Sequence, residues 1–314
     1  MARTAGRLPG SVLVTGGLGF IGSNAVDALL SRGCAVTVLD DLSTGDRANL
    51  TSKKPGVVIA DVADLQAVRK AAREKEAVVH LAAIAGIRGP SPSGRLQKVN
   101  VEGTGNLLEA CAAAGVKNFV FASSLAVYQD RANDRGGKPV VAPASPYGRS
   151  KLEAEALCER FAADQGAACF ALRLANVYGP RMRTGSNSSV MAEFATAVAR
   201  DEPLRILGDG RQTRDFVHVT DVVGAILAAL AAGVGGFRVA DIGTGRPTAI
   251  NRLAGMFLES SGKKLPIKHL PAQKEVKASY ADTVQARRLL GFRPAVPLRA
   301  GVADVLRWSS RRRP

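Results

Sequence analysis

The sequence predicts an α/β chain: a doubly wound parallel sheet followed by a smaller α/β lobe at the C-terminal end. Three observations carry this prediction. Apolar runs rich in Val, Leu and Phe recur at 11–15, 35–39, 57–60, 77–81, 119–122 and 169–174. They are near-continuous rather than alternating, as strands covered on both faces should be. Helical patterns separate them at the spacing of crossover units, which makes the sheet parallel.

Each element follows in order. "SVLVT" at 11–15 is the first strand. The basic stretch before it is too short of apolar residues for a signal peptide and reads as a loose leader. A glycine-rich turn leads into "SNAVDALLSRG", a helical pattern closed by Gly33 where a C-cap is expected. "AVTVL", "VVIA", "AVVHL", "FVFA" and "CFALRL" supply the next five strands. After about residue 175 the rhythm breaks. Pro/Gly/Arg/Ser-rich loops such as "YGPRMRTGSNSS" and "GDGRQTRD" alternate with helices and isolated strands. That change predicts a second lobe over the carboxyl edge of the sheet, where open α/β folds bind ligands. The expected division is 1–174, with about 213–243, for the sheet domain, and 175–212 with 244–314 for the lobe.

Composition limits the classes open to the chain. Its 314 residues, 46% hydrophobic and 22% charged, are ordinary for a globular protein. No apolar run approaches the roughly 18 residues of a membrane span, so no membrane partner is expected. Cys34, Cys111, Cys158 and Cys169 have no metal-type spacing, and histidines number three. Free thiols in a reducing cytoplasm and no metal site are the expectation. The net charge of +16 suits anionic ligands. The basic residues are dispersed, and aromatics at 5% are not interleaved with them, so nucleic acid is not expected.

Two constellations carry chemistry. "VLVTGGLGFIGSNAVDALL" places Gly16, Gly19 and Gly22 between a strand and a helix, with Phe20 and Ile21 inside the turn. The glycines permit a tight turn and close backbone approach to a pyrophosphate resting on the helix N-terminus. Asp40 ends the second strand, where an acid accepts bonds from ribose hydroxyls and repels a 2′-phosphate. No arginine adjoins Asp40-Asp41, so NAD is expected over NADP. In the second constellation, "SPYGRSKLEAEAL" opens a helix with Tyr147 and Lys151 four residues apart on one face. A tyrosine is a poor base at neutral pH, and a nearby ammonium would stabilise its phenolate. Ser123 and Ser124, just past a strand, are candidates to orient a substrate oxygen. On an isolated helix the Tyr–Lys pair would read as surface decoration; beside a dinucleotide loop and a serine pair it reads as a proton-transfer group.

Together with "HLAA" at 80–83 and "RLANVYGP" at 173–180, these motifs resemble the extended short-chain dehydrogenase/reductases, more narrowly their nucleotide-sugar 4-epimerases. The resemblance covers about residues 11 to 308. It implies a Rossmann-type sheet domain carrying NAD and a C-terminal lobe carrying a nucleotide diphosphate sugar. By matching position it implies that Asp61 and Val62 flank the adenine, that Ala82 and Ala83 lie along the cofactor, and that Lys151 also bonds the nicotinamide ribose. Ser124, Tyr147 and Lys151 become the catalytic group. Ser123, Arg88, Asn176, Arg183, Arg214 and Ser279 become substrate contacts, with Arg214 on the phosphates and Ser279 at a pocket-gating position.

Dehydratases of the family carry Asp-Glu after the hydroxyl residue; here Leu125-Ala126 follow Ser124, which points to 4-epimerisation through a transient 4-keto sugar. Arg183 stands seven residues after Asn176, the spacing of a carboxylate-binding arginine, and "LPAQKEVKASYAD" resembles a segment of the UDP-glucuronate epimerases. UDP-glucuronate is therefore the expected sugar. UDP-GlcNAc or UDP-glucose 4-epimerisation, a keto-sugar reductase, and a non-catalytic NAD-binding regulator are the alternatives. Three departures mark this chain: Gln129 stands where the family has glycine, the 129–145 loop lacks its acidic stretch, and Ala272 or Gln273 replaces an arginine. The resemblance also implies a homodimer through the helices near 103–114 and 151–163.

Overall fold

The computed structural model describes residues 6–51, 55–85, 93–131, 138–183, 189–273 and 275–311. The six predicted apolar runs all form strands: β1 (Ser11–Thr15), β2 (Ala35–Asp40), β3 (Gly56–Ile59), β4 (Ala77–His80), β5 (Asn118–Ser124) and β6 (Ala168–Leu174). Helices α1 (Phe20–Leu30), α2 (Leu65–Ala72), α3 (Ser93–Gln97), α4 (Gly103–Ala114) and α5 (Pro146–Gln165) connect them. Beyond β6 come β7 (Asn176–Tyr178), α6 (Val190–Ala199), β8 (Leu204–Leu207), β9 (Thr213–His218), α7 (Val219–Ala231) and β10 (Gly236–Ile242). The chain continues through β11 (Pro247–Ala249), α8 (Ile250–Ser261), β12 (Ile267–Leu270), β13 (Ala278–Ser279), α9 (Val284–Leu290) and α10 (Leu298–Arg311).

The large sheet runs β10-β6-β5-β4-β1-β2-β3, parallel throughout. Its strand order reverses between β1 and β4, which leaves a crevice above their carboxyl ends. Alternation along β1 assigns the two faces. Val12 and Val14 pack in one core with Leu29, Phe170 and Ile226, while Leu13 packs in the other with Phe119, Phe121 and Phe161. Because both faces are covered, β1 and β4 are buried almost end to end.

The segment 213–243 is divided. Strand β9 pairs with β11, β13 and β7 in a small second sheet, whereas α7 packs on α1 and β10 closes the edge of the large sheet. A third core joins α6, α8 and α10 around Phe194 and Phe257, whose rings meet edge to face at 5.7 Å. Strand β8 pairs in parallel with β12 beside this core. Helix starts follow local chemistry. Asp64 caps α2, Ser145 caps α5 with Pro146 at its first turn, and Ser189 caps α6. Helix α5 ends at Gly166 in the left-handed region, φ 58°.

One buried group makes the sheet domain sensitive to acid. His80, 1% exposed at the end of β4, is bonded to Thr15 Oγ1 at 2.7 Å and Thr104 Oγ1 at 3.0 Å. Burial, then the nearby Lys151 charge, lowers its pKa from 6.5 to about 3. The unfolded chain therefore takes up this proton first as pH falls. The stability is whole above pH 6.5 and is lost between there and pH 3, at about 1.4 kcal/mol per pH unit for one proton. Denaturant titrations from pH 7 to 4 should show this slope, and His80→Gln should flatten it.

Candidate active site

The glycine turn packs as tightly as its sequence requires. A Cβ on Gly22 would lie 2.0 Å from Gly16 O, so the first turn of α1 can sit against the end of β1 only with glycine there. Gly16 itself takes a left-handed φ of 66°. Asp40 at the end of β2 is 5% exposed, and its carboxylate accepts Leu18 N and Leu42 N, both at 2.9 Å. These bonds fix the acid beside the glycine turn, and its remaining lone pairs are available to hydroxyl donors.

A cavity of about 560 Å³ opens at the crevice between β1 and β4. Gly16, Gly19, Phe20, Ile21, Gly22, Asp40, Asp61, Val62, Ala82 and Ala83 lie on its wall. Asp61 accepts Ala63 N at 2.9 Å, and Val62, 3% exposed, is tethered through its carbonyl by Asn106. The backbone around Ile84 is clamped by Asn100, which accepts Ile84 N at 2.8 Å and donates to Ile84 O at 3.0 Å. Asn100 also donates to Ser150 Oγ at 3.1 Å, so the loop after β4 is tied to α5. Nothing in the spacing of "KVNVEGT" singled out this asparagine.

Ser124, Tyr147 and Lys151 line the same cavity. Their approach depends on Gly148, where a Cβ would meet Ala126 O at 2.1 Å, so α5 begins directly against the serine loop. Ser124 Oγ accepts Ala126 N at 3.1 Å, and its hydroxyl lies close enough to the Tyr147 phenol to favour the ionised form. Lys151, 3% exposed, donates to Ala122 O at 2.8 Å, with its ammonium 5.9 Å from the Tyr147 ring centroid. Burial moves the two groups in opposite directions. It pulls Lys151 from 10.5 to about 8 and raises Tyr147, and the Ser124 hydroxyl only partly opposes the rise. The expected lowering of the phenol by Lys151 is not found in the protein alone: the ammonium faces a carbonyl and desolvation outweighs it.

Ser123 has a different partner from the one expected. Its hydroxyl donates to Glu155 Oε1 at 2.5 Å within the protein, although the residue borders the cavity. The lobe residues divide as well. Asn176 and Arg214 line the cavity, but Arg183 and Ser279 do not. Arg183 is exposed, and its neighbour Arg181 is drawn to α1 by a 2.7 Å pair with Asp27. Ser279 on β13 pairs in register with Arg214 on β9. Arg88 lies outside the described residues. Arg214, 16% exposed, bonds Glu275 at 2.6 Å, and Gln212 donates to the other oxygen of Glu275 at 3.1 Å. Burial lowers the pKa of Arg214, with Glu275 opposing. Arg205 on β8 also lines this wall. Gln212 and Glu275 lay in quoted segments without a distinguishing signal, and Arg205 is one arginine among many.

Among the described residues, no group of three or more His, Cys, Asp or Glu is arranged to hold a metal, and no helix is long and apolar enough to cross a membrane. The four cysteines are unpaired and buried. The wall therefore offers a glycine turn, an acid at the end of β2, a Ser–Tyr–Lys cluster and a facing arginine. That set fits a dinucleotide beside an anionic substrate.

Comparison with known proteins agrees with this geometry. Residues 12–243 match the NAD dependent epimerase/dehydratase family. The UDP-glucose 4-epimerase of Mycolicibacterium smegmatis is 36% identical over 94% of this chain and 97% of its own. The crystal structure of Thermotoga maritima UDP-glucose 4-epimerase with UDP-glucose is 35% identical, with a TM-score of 0.87 over 95% of this chain and 98% of that one. The UDP-glucuronic acid 4-epimerase of Bacillus cereus, solved with UDP-glucuronic acid and NAD, is 29% identical, with a TM-score of 0.87 over 96% and 99%. A shared fold and similarity over nearly the whole length place this chain in the NAD dependent epimerase/dehydratase family, as an NAD-using enzyme of the extended short-chain dehydrogenase/reductase type.

Proposed function

We propose that this enzyme is a UDP-sugar 4-epimerase and that its sugar is a neutral hexose, UDP-glucose and its C4 epimer. The observation that carries the reading is the meeting of Ser124, Tyr147 and Lys151 with the glycine turn on one cavity wall. Tyr147 Oη takes the proton from the sugar O4 and later returns it. Ser124, beside the Tyr147 phenol, orients the same oxygen. Bound NAD supplies the hydride acceptor and donor and adds positive charge beside the phenol. Residues 1–174, with part of 213–243, would hold NAD; 175–212 and 244–314 would hold the nucleotide sugar. Leu125 and Ala126 after Ser124 can move no proton, which argues against 4,6-dehydration.

The charge on the wall argues for a neutral hexose. Among the described residues its cationic side chains are Lys151, Arg205 and Arg214. Lys151 is bound to Ala122 O, and the two arginines lie on strands of the lobe, where a diphosphate suits their forked donors. A C6 carboxylate has no arginine from 181–183 on this wall. UDP-glucuronate is the second reading, favoured by the spacing of Arg183 from Asn176 and by the Bacillus cereus structure.

Three outcomes test these assignments. NMR of separate incubations with UDP-glucose, UDP-GlcNAc and UDP-glucuronate, without added reductant, should show UDP-glucose converted to its C4 epimer; turnover of glucuronate alone would reverse the choice of sugar. Tyr147→Phe should lower kcat by about 10²- to 10⁴-fold while the protein still carries NAD, and an active variant would remove the base from Tyr147. Arg214→Ala should raise KM for the UDP-sugar by roughly 10- to 100-fold, the worth of a charged hydrogen bond, with kcat less affected. For the homodimer we also propose, light scattering near the 32.7 kDa of one chain would be the contrary result.

A further inference from the structure

Helix α5 carries a third polar group on the side of Tyr147 and Lys151. Glu155 follows Lys151 by four residues and lies one turn further along the same face. Its side chain is 5% exposed and accepts three hydrogen bonds. Ser123 Oγ and Arg173 Nε reach Oε1 at 2.5 and 2.9 Å, and Arg173 Nη2 reaches Oε2 at 2.6 Å. The network continues outward. Arg173 Nη1 donates to Tyr128 Oη at 2.7 Å, Tyr128 donates to Asp241 Oδ1 at 2.8 Å, and Asp241 Oδ2 accepts Asp282 N at 3.0 Å.

Stability alone is a weak reason for such a network. Taking two ions out of water is costly, and a well-packed apolar pair often serves as well. What an apolar pair cannot supply is a fixed negative charge beside Lys151. Ionisable groups face that ammonium from two elements: Tyr147, Glu155 and Cys158 on α5, and His80 on β4. The phenol and the Cys158 thiol are both raised by burial, and His80 is held neutral. Cys158 therefore carries no charge in the working range, and Glu155, paired with Arg173, is the standing anion. Its other bond pins Ser123. That bond fixes the end of β5, of which Ser124 is the last residue.

We infer that Glu155 is a positioning residue for proton transfer: one turn from Lys151 on α5 and ion-paired to Arg173, it sets a carboxylate on the Lys151 side of the helix and, through Ser123, holds the end of β5 that carries Ser124. The inference rests on the roles proposed for Tyr147 and Lys151.

The test is the pH profile of kcat for UDP-glucose epimerisation by NAD-loaded enzyme. Wild-type kcat should fall on the alkaline side as Lys151 loses its proton, and Lys151→Arg should remove that fall. Glu155→Gln leaves the Arg173 guanidinium buried without its anion, so the double variant Glu155→Gln/Arg173→Met carries the test should the single one fail to fold. In either, the alkaline limb should move toward neutral by on the order of one pH unit, with KM for UDP-glucose changed less than about twofold. Glu155→Asp, which keeps the charge, should return the limb toward the wild-type position. A folded, NAD-loaded double variant with the wild-type limb overturns the inference while the Lys151 role stands. A wild-type profile with no alkaline limb, or one unmoved by Lys151→Arg, overturns the Lys151 role and the inference with it.

Discussion

Asp215 is the joint on which the two halves of the molecule depend. It is fully buried on β9, and its carboxylate accepts Thr244 N at 2.9 Å, Thr244 Oγ1 at 2.5 Å, Gly245 N at 2.8 Å and Ala281 N at 3.2 Å. Those donors come from the turn after β10 of the large sheet and from the segment after β13 of the small one. A buried carboxylate without partners would be costly; with four donors it becomes a fixed point. The packing leaves it no slack, since a Cβ on Gly243 would stand 2.4 Å from Asp215 Oδ2. Arg214 is the residue before it on β9, so the backbone that carries the arginine is anchored beside this carboxylate.

A second buried system works on the other side of the cavity. Helix α5 starts against the serine loop because Gly148 permits it, and it is held along its length by Asn100, Ala122 O and the Glu155–Arg173 pair. The two systems meet near Asp282, whose N–H goes to Asp241 while the preceding Ala281 N–H goes to Asp215. The segment 278–282 thus touches the network behind the proton-transfer group and the pin beneath the arginine. The carboxyl of Asp241 is pushed up to about 6, chiefly by burial, so mild acid reaches it.

Much of the fold was legible because its signals are local and repeated. Six near-continuous apolar runs and one glycine turn define the sheet, and burial on both faces removes the ambiguity that alternation would bring. The glycine-turn side of the cavity was legible for the same reason, since the close packing of α1 on β1 demands glycine. Arg183 was not, because its identity and spacing say nothing of where a loop turns the side chain. Arg181 beside it goes to Asp27 across the domain, an ion pair of high sequence separation that no window of residues contains. The partner of Ser123 was hidden for a related reason: the two serines are equivalent as neighbours in sequence, and only Glu155, 32 residues on, distinguishes them.

The lobe wall shows how charge can select a substrate without a dedicated pocket. Arg214 arrives already paired with Glu275, and Gln212 completes the carboxylate. An incoming diphosphate must compete with an anion in place, and it gains only the difference between the two sets of bonds. A carboxylate on the sugar ring would find the lysine on the opposite wall engaged with Ala122 O and held at the edge of its charged range. Under the proposed function, charge is offered on the lobe wall, where a nucleotide sugar would carry its phosphates, and is sparse around the Tyr147 side. Retention and reaction would then fall to different side chains, so that a sugar could turn about its phosphates while they stay bound.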